Sequence, residues 1–234
     1  MVKPKNILLK LTGDIITQSS AGLNADFVRS IAMQIKRLGS DYQFSIVIGG
    51  GNFFRGTKQG LEIEIRPQVA HSVGMLATMM NGLIIQDIFE QSGIKTALLT
   101  ALTCPEVGES ITYHKINVYQ AENRCIIFTG GTGNPFFTTD TTAVLRALQV
   151  NAQELWKATK VDGIYDQDPR LYQDAQLVKK LSFQEALDKK LGIMDLNAFV
   201  LAQQHHIPIR IFNLFDHEAL IRTAQDTNFG STVQ

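Results

Sequence analysis

Apolar runs typical of strands alternate with segments of helical spacing along most of this chain. The apolar runs lie at residues 6–11, 44–48, 95–100, 124–128, 154–159 and 209–212. The segments predicted to be helical lie between and after them, at 26–38, 69–91, 115–122, 143–148, 182–190 and 216–225. Strands that alternate with helices predict a parallel sheet that is covered by helices on both faces.

One predicted helix, at residues 69–91, has no clear polar face. Between residues 75 and 85 its apolar side chains point in nearly every direction. A helix of this kind must be buried on several sides. Either the rest of the same subunit covers it, or part of it contacts another subunit, and the sequence leaves both alternatives open.

The composition is that of an ordinary globular protein. Hydrophobic residues make up 44% and charged residues 19% of the chain, so we expect no long disordered region. The 22 basic and 22 acidic residues cancel without forming a basic stripe, which argues against a nucleic-acid partner. We find neither a signal-peptide pattern nor a run of about 20 apolar residues, so we expect a cytoplasmic protein with no membrane partner.

Two glycine-rich turns follow predicted strands. Residues 49–51 are three consecutive glycines, and residues 130–133 contain three more just before a predicted helix. Each turn could be a tight connection, or its glycines and free N–H groups could let the backbone approach a phosphate. Phe136 and Phe137 lie beside threonines after the second turn, which favours a planar ligand that carries a phosphate. No Gly-x-x-x-x-Gly-Lys-[Ser/Thr] motif occurs, which excludes a P-loop kinase.

Two single residues allow more than one interpretation. Lys10 lies inside the first apolar run, where a lysine either extends its charge to solvent at a sheet edge or meets phosphates at the carboxyl end of a strand. Asp195 precedes a helical segment, as an N-cap or as a ligand of a metal–nucleotide complex. The Asp-Gly and Asp-Pro pairs within residues 159–169 predict a loop.

Three of these segments resemble motifs of the bacterial uridylate kinases, which are members of the amino acid kinase superfamily. Residues 131–140 resemble the segment that binds the acceptor nucleotide, residues 49–56 the glycine turn with its arginine, and residues 159–169 the segment that binds the donor nucleotide. The resemblance extends from residue 7 to about residue 232. It implies a single domain over residues 1–234 with the amino acid kinase fold, a three-layer αβα sandwich with a mainly parallel central sheet.

The resemblance implies a reaction and its partners. These are phosphoryl transfer from ATP to UMP in pyrimidine nucleotide biosynthesis, Mg2+ bound with the ATP, a homohexamer, and regulation by GTP or UTP. The loop at residues 15–24 is shorter than in the family and lacks its usual acidic residue. Two alternatives share the fold, a kinase of amino acids and a non-catalytic nucleotide-binding protein. The paired phenylalanines argue against the first, and the retention of Lys10, Arg55 and Lys160 argues against the second.

The resemblance also assigns individual residues. The catalytic residues are Lys10, Arg55, Asp140 and Lys160, with Asp140 orienting lysines, because a phosphate nucleophile needs no general base. The residues assigned to ATP are Lys10, Leu11, Thr12, Gly13, Gly51, Arg55, Thr159, Tyr165 and Asp168. The residues assigned to UMP are Gly50, His71, Thr132, Gly133, Asn134, Pro135, Phe136, Phe137, Thr138 and Thr139. The ligands of the metal stay unassigned, with Asp195 as the candidate.

His71 departs from the family pattern. It stands where the family usually has an aspartate, whose carboxylate accepts hydrogen bonds from the ribose hydroxyls of UMP. A neutral imidazole accepts one such bond, and a bond to a charged group is stronger by about 1 kcal/mol. We therefore expect UMP to bind several-fold more weakly than an aspartate would allow. The alternative is that His71 points to solvent and that Ser72 or the backbone meets the ribose.

Overall fold

The computed structural model describes residues 3–15, 17–18, 22–55, 60, 62–167, 169, 171–189 and 192–234. Its strands are β1 (Lys5–Leu11), β2 (Thr17–Gln18), β3 (Gly22–Leu23), β4 (Tyr42–Ile48), β5 (Thr96–Thr100), β6 (Glu109–Ser110), β7 (Cys125–Thr129), β8 (Glu154–Thr159), β9 (Ile164–Tyr165), β10 (Leu177–Val178), β11 (Lys180–Leu181), β12 (Ile209–Asn213) and β13 (Ser231–Val233). Its α-helices are α1 (Ala25–Leu38), α2 (Pro67–Gln91), α3 (Tyr113–Ala121), α4 (Thr139–Gln149), α5 (Phe183–Asp188), α6 (Leu196–Gln204) and α7 (Ala219–Gln225).

A nine-stranded sheet forms the middle layer, in the order β11-β13-β12-β8-β1-β4-β7-β5-β6. Its ladders are parallel except for the pairing of β13 with β12. The prediction of a mainly parallel central sheet is therefore confirmed. β1 lies at its centre, with Lys10 opposite Val47 of β4 on one side and opposite Lys157 of β8 on the other.

Helices cover both faces of the sheet, because alternate residues of each buried strand point to opposite sides. Ile7, Leu9 and Leu11 of β1 pack into a core with α1, α2 and α7. Leu8 points to the other face and packs into a second core with α3, α4, α5 and α6. The three-layer αβα architecture predicted from the sequence is thus observed.

The helix boundaries mostly agree with the capping signals in the sequence. Ser182 and Glu185 form a capping box at the start of α5, although the helix ends at Asp188 rather than at residue 190. α7 begins at Ala219 rather than at 216, because Glu218 adopts a left-handed backbone conformation with φ of 51°. The described part of the loop at residues 15–24 contains a short antiparallel pair, β2 and β3.

α2 is the predicted helix without a polar face, and it has two apolar sides. Ile85, Ile88 and Phe89 are buried against the sheet. A separate stripe on its outer side is exposed to 41–53% and consists of Val69, Leu76, Met80 and Leu83. Among the described helices, α2 is the one that is long and apolar enough to cross a membrane by length and composition alone. Its packing against the sheet accounts for part of that apolar character.

Two glycines of α2 test how closely this helix approaches the sheet. A Cβ at Gly82 would overlap Thr129 Cγ2 and lie 3.0 Å from Leu98 Cδ1, whereas a Cβ at Gly74 would meet no atom within 4 Å. We expect Gly82→Ala to destabilise the protein by about 1–2 kcal/mol, because overpacking outweighs the gain in helix propensity. Gly74→Ala should stabilise it by about 0.5–1 kcal/mol. Urea unfolding of both variants measures this, and equal effects would contradict the close approach.

Candidate functional site

The three predicted motifs meet at one edge of the sheet, because parallel neighbouring strands end on the same side. β1 is followed by a short 3-10 turn at Gly13–Ile15, and β4 by the glycines at residues 49–51. β7 is followed by the glycine turn at residues 130–133, and β8 by the segment that begins at Thr159. Ligands of open parallel sheets bind outside this carboxyl edge.

A cleft of about 300 Å³ opens between α2 and the two glycine turns. Its lining includes most of the residues that the resemblance assigns to UMP, namely Gly50, His71, Thr132, Asn134, Phe137, Thr138 and Thr139. Phe54, Met75 and Phe128 add apolar walls. A cleft with apolar walls and a few polar groups is typical of small-molecule sites.

The inner side of α2 holds both glycine turns in place. A Cβ at Gly50 would lie 2.7 Å from the Gly74 carbonyl oxygen, so only glycine fits there. Thr78 Oγ1 accepts a hydrogen bond from the Gly130 N–H at 2.8 Å. Asn81, which is fully buried, donates to the Gly49 carbonyl at 2.6 Å. Sequence reasoning missed Thr78 and Asn81, although polar residues inside an apolar helix were a usable signal.

Not every residue of the second turn faces the cleft. Gly133 has φ of 81° and packs against Ala101, and neither it nor Pro135 nor Phe136 belongs to the cleft lining. Phe136 has φ of 70°, which is unusual for a bulky residue. These three residues are therefore placed differently from what the assignment to UMP suggests.

His71 lines the cleft and is only partly exposed. Its ring centroid lies 5.1 Å from that of Phe136, at an interplanar angle of 57°. The ring therefore lies beside both the cleft and Phe136, and its contact with the ribose stays a prediction.

Thr138 lines the cleft and also caps α4. Its hydroxyl oxygen accepts hydrogen bonds from the N–H groups of Asp140 at 3.0 Å and Thr141 at 3.3 Å, which makes it the N-cap of α4. The same hydroxyl donates to Asp195. Two of the N–H groups that the sequence suggested for an oxyanion are thus already bonded within the protein.

Lys10, Asp140 and Lys157 form a buried charged cluster at this edge. Lys10 Nζ lies 3.2 Å from Asp140 Oδ1, and Lys157 Nζ lies 2.7 Å from Asp140 Oδ2. Lys10 is 8% exposed in the central strand, so the alternative of a lysine extending to solvent at a sheet edge is wrong. Sequence reasoning missed Lys157, whose signal was a lysine inside the apolar strand β8.

The cluster shifts the pKa values of Asp140 and Lys157. Burial alone would raise the pKa of Asp140, but the charges of Lys10 and Lys157 lower it below its ordinary value. Burial lowers the pKa of Lys157 to about 8, helped by the charge of Lys10 and opposed by Asp140. Asp140 is therefore an ionised carboxylate at neutral pH, which suits a residue that orients lysines.

The segment after β1 brings two further cations together. Asp14 accepts hydrogen bonds from Arg55 Nη2 at 3.1 Å to each carboxylate oxygen, and its Oδ2 lies 3.5 Å from Lys160 Nζ. Leu11 is buried at the end of β1. Thr12 Oγ1 is buried and has no hydrogen-bond partner among the described residues. Gly13 packs closely against the Gly49 carbonyl.

The residues assigned to ATP at the end of β8 and after it lie beside β1, on the side opposite β4. The Thr159 hydroxyl bonds within its own loop, to the Val161 carbonyl at 2.7 Å. The Tyr165 hydroxyl donates to Asp162 Oδ2 at 3.0 Å, and burial and this bond raise the pKa of Tyr165. Asp168 lies outside the described residues.

Asp195 is the N-cap of α6, which was one of its two predicted interpretations. Its Oδ1 accepts from the Ala198 N–H at 2.9 Å and from the Thr141 hydroxyl at 3.0 Å, and Oδ2 accepts from Thr138. Both oxygens are thus engaged within the protein. No group of three His, Cys, Asp or Glu side chains that could hold a metal occurs in the part of the chain that the structure describes.

Comparisons with known proteins agree with this geometry. The model of the amino acid kinase family matches residues 5–213. The uridylate kinase of Psychrobacter cryohalolentis is 41% identical over 229 residues, covering 97% of this chain and 95% of the relative. That of Francisella tularensis subsp. holarctica is 40% identical over 233 residues, covering 99% and 94%.

The fold is also similar to solved structures of UMP kinases. UMP kinase from Ureaplasma parvum has a TM-score of 0.95 at 29% identity and covers 100% of both chains. UMP kinase from Bacillus anthracis has a TM-score of 0.93 at 28% identity and covers 99% of this chain and 97% of that one. The chain therefore belongs to the amino acid kinase family, and within it to the uridylate kinases.

The contacts of Asp195 predict that this N-cap contributes more to the free energy of unfolding than an ordinary cap. We expect Asp195→Ala to destabilise the protein by about 2–3 kcal/mol, because it removes the cap of α6 and leaves two threonine hydroxyls of α4 without their acceptor. Ser182→Ala removes the cap of α5 and should cost about 1 kcal/mol. Urea unfolding compares the two variants. A smaller loss for Asp195→Ala than for Ser182→Ala would contradict the link between α4 and α6.

Proposed function

We propose that this chain transfers the γ-phosphoryl group of ATP to the α-phosphate of UMP, which yields ADP and UDP. One observation carries the proposal: the cleft between the glycine turns opens at the sheet edge that holds the cluster of Lys10, Asp140 and Lys157. The identity of 41% over nearly the full length to proteins named uridylate kinase supports the choice of UMP.

The cleft suits a nucleoside monophosphate. Its volume of about 300 Å³ and its walls of Phe54, Met75 and Phe137 can enclose a planar base. Thr132 and Asn134 offer hydrogen-bonding groups in the same wall. Gly50 lies at the inner end of the cleft, where its backbone can approach the α-phosphate.

Phosphoryl transfer requires chiefly that two anions are positioned in line and that their charge is neutralised. Lys10, Arg55 and Lys160 supply cations around the carboxyl ends of β1, β4 and β8. Asp140 orients Lys10 and takes no proton, because the attacking phosphate oxygen is already ionised near neutral pH.

Mg2+ would enter with ATP and neutralise charge on its phosphate oxygens. The carboxylates of this edge are already bonded: Asp14 to Arg55 and Lys160, Asp140 to lysines, and Asp195 to N–H and hydroxyl donors. This donor set fits a Mg2+ that is held mainly by phosphates and water, which is a common arrangement for this ion. Beyond the turns after β1 and β4, Thr159 and Tyr165 are the described residues that the resemblance assigns to ATP.

Other predictions on the partners of this chain stay open to test. A kinase of small amino acids would have no use for the apolar walls around Phe137, and a non-catalytic binding protein would not need the buried lysines. Regulation by GTP or UTP and a cytoplasmic location stay predictions, which effector titration and cell fractionation can test.

The function is tested by an assay of ADP release that depends on UMP. We expect Lys10→Ala and Arg55→Ala to keep the fold and to lose roughly 30- to 1,000-fold in turnover, because each removes a charge that acts in the transition state. Lys115→Ala is the control, since Lys115 pairs with Glu109 away from the cleft. Turnover of both variants within about threefold of wild type would remove these cations from the mechanism.

The exposed stripe of α2 supports a homo-oligomer, and we propose the hexamer that the family resemblance implies. Val69, Leu76, Met80 and Leu83 are exposed apolar side chains that recur at helical spacing on one side of α2. A charge in the middle of this stripe should separate subunits, since an unpaired charge is costly in an apolar interface.

Light scattering tests this proposal. Met80→Glu should shift the particle toward the 26.0 kDa single chain, whereas Met33→Glu, at an equally exposed methionine of α1, should leave the assembly intact. A wild-type protein that is active as a stable monomer would contradict the proposal.

A further inference from the structure

Lys157 is the residue of the charged cluster that neither the sequence motifs nor the comparisons explain. It lies in β8, directly opposite Lys10 in the register of the neighbouring strand β1. It is 5% exposed and points, like Lys10, toward the first turn of α4, where Asp140 lies between the two lysines.

The two lysines hold Asp140 in different ways. Lys157 Nζ donates a hydrogen bond to Asp140 Oδ2 at 2.7 Å and a second one to the Ile193 carbonyl oxygen. Asp140 Oδ1 lies 3.2 Å from Lys10 Nζ, which is a longer contact than the one from Asp140 to Lys157. Lys157 is therefore fixed by two acceptors, whereas Asp140 is the one acceptor of Lys10 among the described residues, so the Lys10 ammonium group keeps N–H groups for another anion.

We propose that Lys157 is a positioning residue for Lys10: it binds the Asp140 carboxylate so that Lys10 stays available to the transferred phosphoryl group. This inference rests on the proposed function. Without the cation at 157, Asp140 and Lys10 form a closed pair, and the phosphoryl group competes with Asp140 for the same ammonium group. Lys157 does not need to touch either nucleotide to have this effect.

The surroundings of Lys157 support a fixed anchor. Ile193, which accepts its second hydrogen bond, precedes Asp195, whose carboxylate holds Thr141 in the first turn of α4. The turn that carries Asp140 is thus tied to β8 by Lys157 and to the start of α6 by Asp195. A lysine with these two partners has little freedom to turn toward a substrate.

The anchor has a pH signature. The charged groups that face Lys157 are Lys10 from β1, Asp140 from α4 and Asp195 ahead of α6. Burial places the pKa of Lys157 at about 8, so Lys157 loses its charge as the pH rises through that value. Asp140 is then left to pair with Lys10, and we expect turnover to fall above about pH 8.

The test compares kcat and KM for wild type, Lys157→Met and Lys157→Arg across this pH range, with ADP release in the presence of ATP and UMP as the readout. Lys157→Met should lower kcat at neutral pH by about tenfold or more, keep both KM values within about threefold, and remove the alkaline fall. Lys157→Arg keeps its charge and should stay active above the pH at which wild type declines. Lys115→Met, at a partly exposed lysine that pairs with Glu109, is the matched control and should follow wild type.

If Lys157 has only a structural role, the kinetic measurements give a different result. If Lys157→Met has a kcat within about threefold of wild type, or keeps the alkaline fall, the proposal is overturned. If circular dichroism shows that Lys157→Met does not fold, the pH profile of Lys157→Arg is the test. A fall in its turnover above pH 8 like that of wild type would overturn the proposal. Absence of UMP-dependent turnover in wild type itself would instead contradict the proposed function, so the two failures are distinguishable.

Discussion

The burial of two lysines beside one aspartate is the constraint on which this structure depends most. A buried charge costs several kcal/mol unless it is paired and hydrogen-bonded. Lys10 and Lys157 lie side by side on the same face of β1 and β8, so α4 must begin where Asp140 can reach both of them. That requirement fixes the glycine turn ahead of α4. The cluster still carries one positive charge more than negative, which suits a site that receives phosphates.

α2 explains how the acceptor side of the site keeps its shape. Its inner side holds the first glycine turn through Asn81 and the second through Thr78, while its outer side presents the apolar stripe around Met80. The side of the helix that touches the sheet and both turns is apolar, and its exposed side is apolar as well, so its sequence has no polar face. If subunits assemble through the outer side of α2, the contact would stabilise the helix that also forms one wall of the cleft.

The order of the main strands and helices could be predicted from the spacing of apolar residues, because each of these elements buries apolar side chains in one of the two cores. β13 was missed because a three-residue strand has no period of its own and depends on β12 and β11 for pairing. The glycine turns marked the edge of the sheet at which the cleft opens. Lys157 was missed because a lysine inside an apolar strand does not by itself name its partner, and the strand register that places it opposite Lys10 cannot be derived from the sequence. The capping role of Thr138 could not be predicted, because a threonine before a helix has the same local sequence whether it caps the helix or binds an anion.

The most direct measurement is the rate of phosphoryl transfer in a single turnover by rapid quench, with Asp140→Asn compared with wild type. Asparagine keeps the shape of the side chain but removes the charge that holds Lys10 and Lys157 in place. The account predicts that the transfer step slows by about 100-fold or more while the dissociation constants of ATP and UMP change by less than about threefold. A transfer step within about threefold of wild type would contradict it.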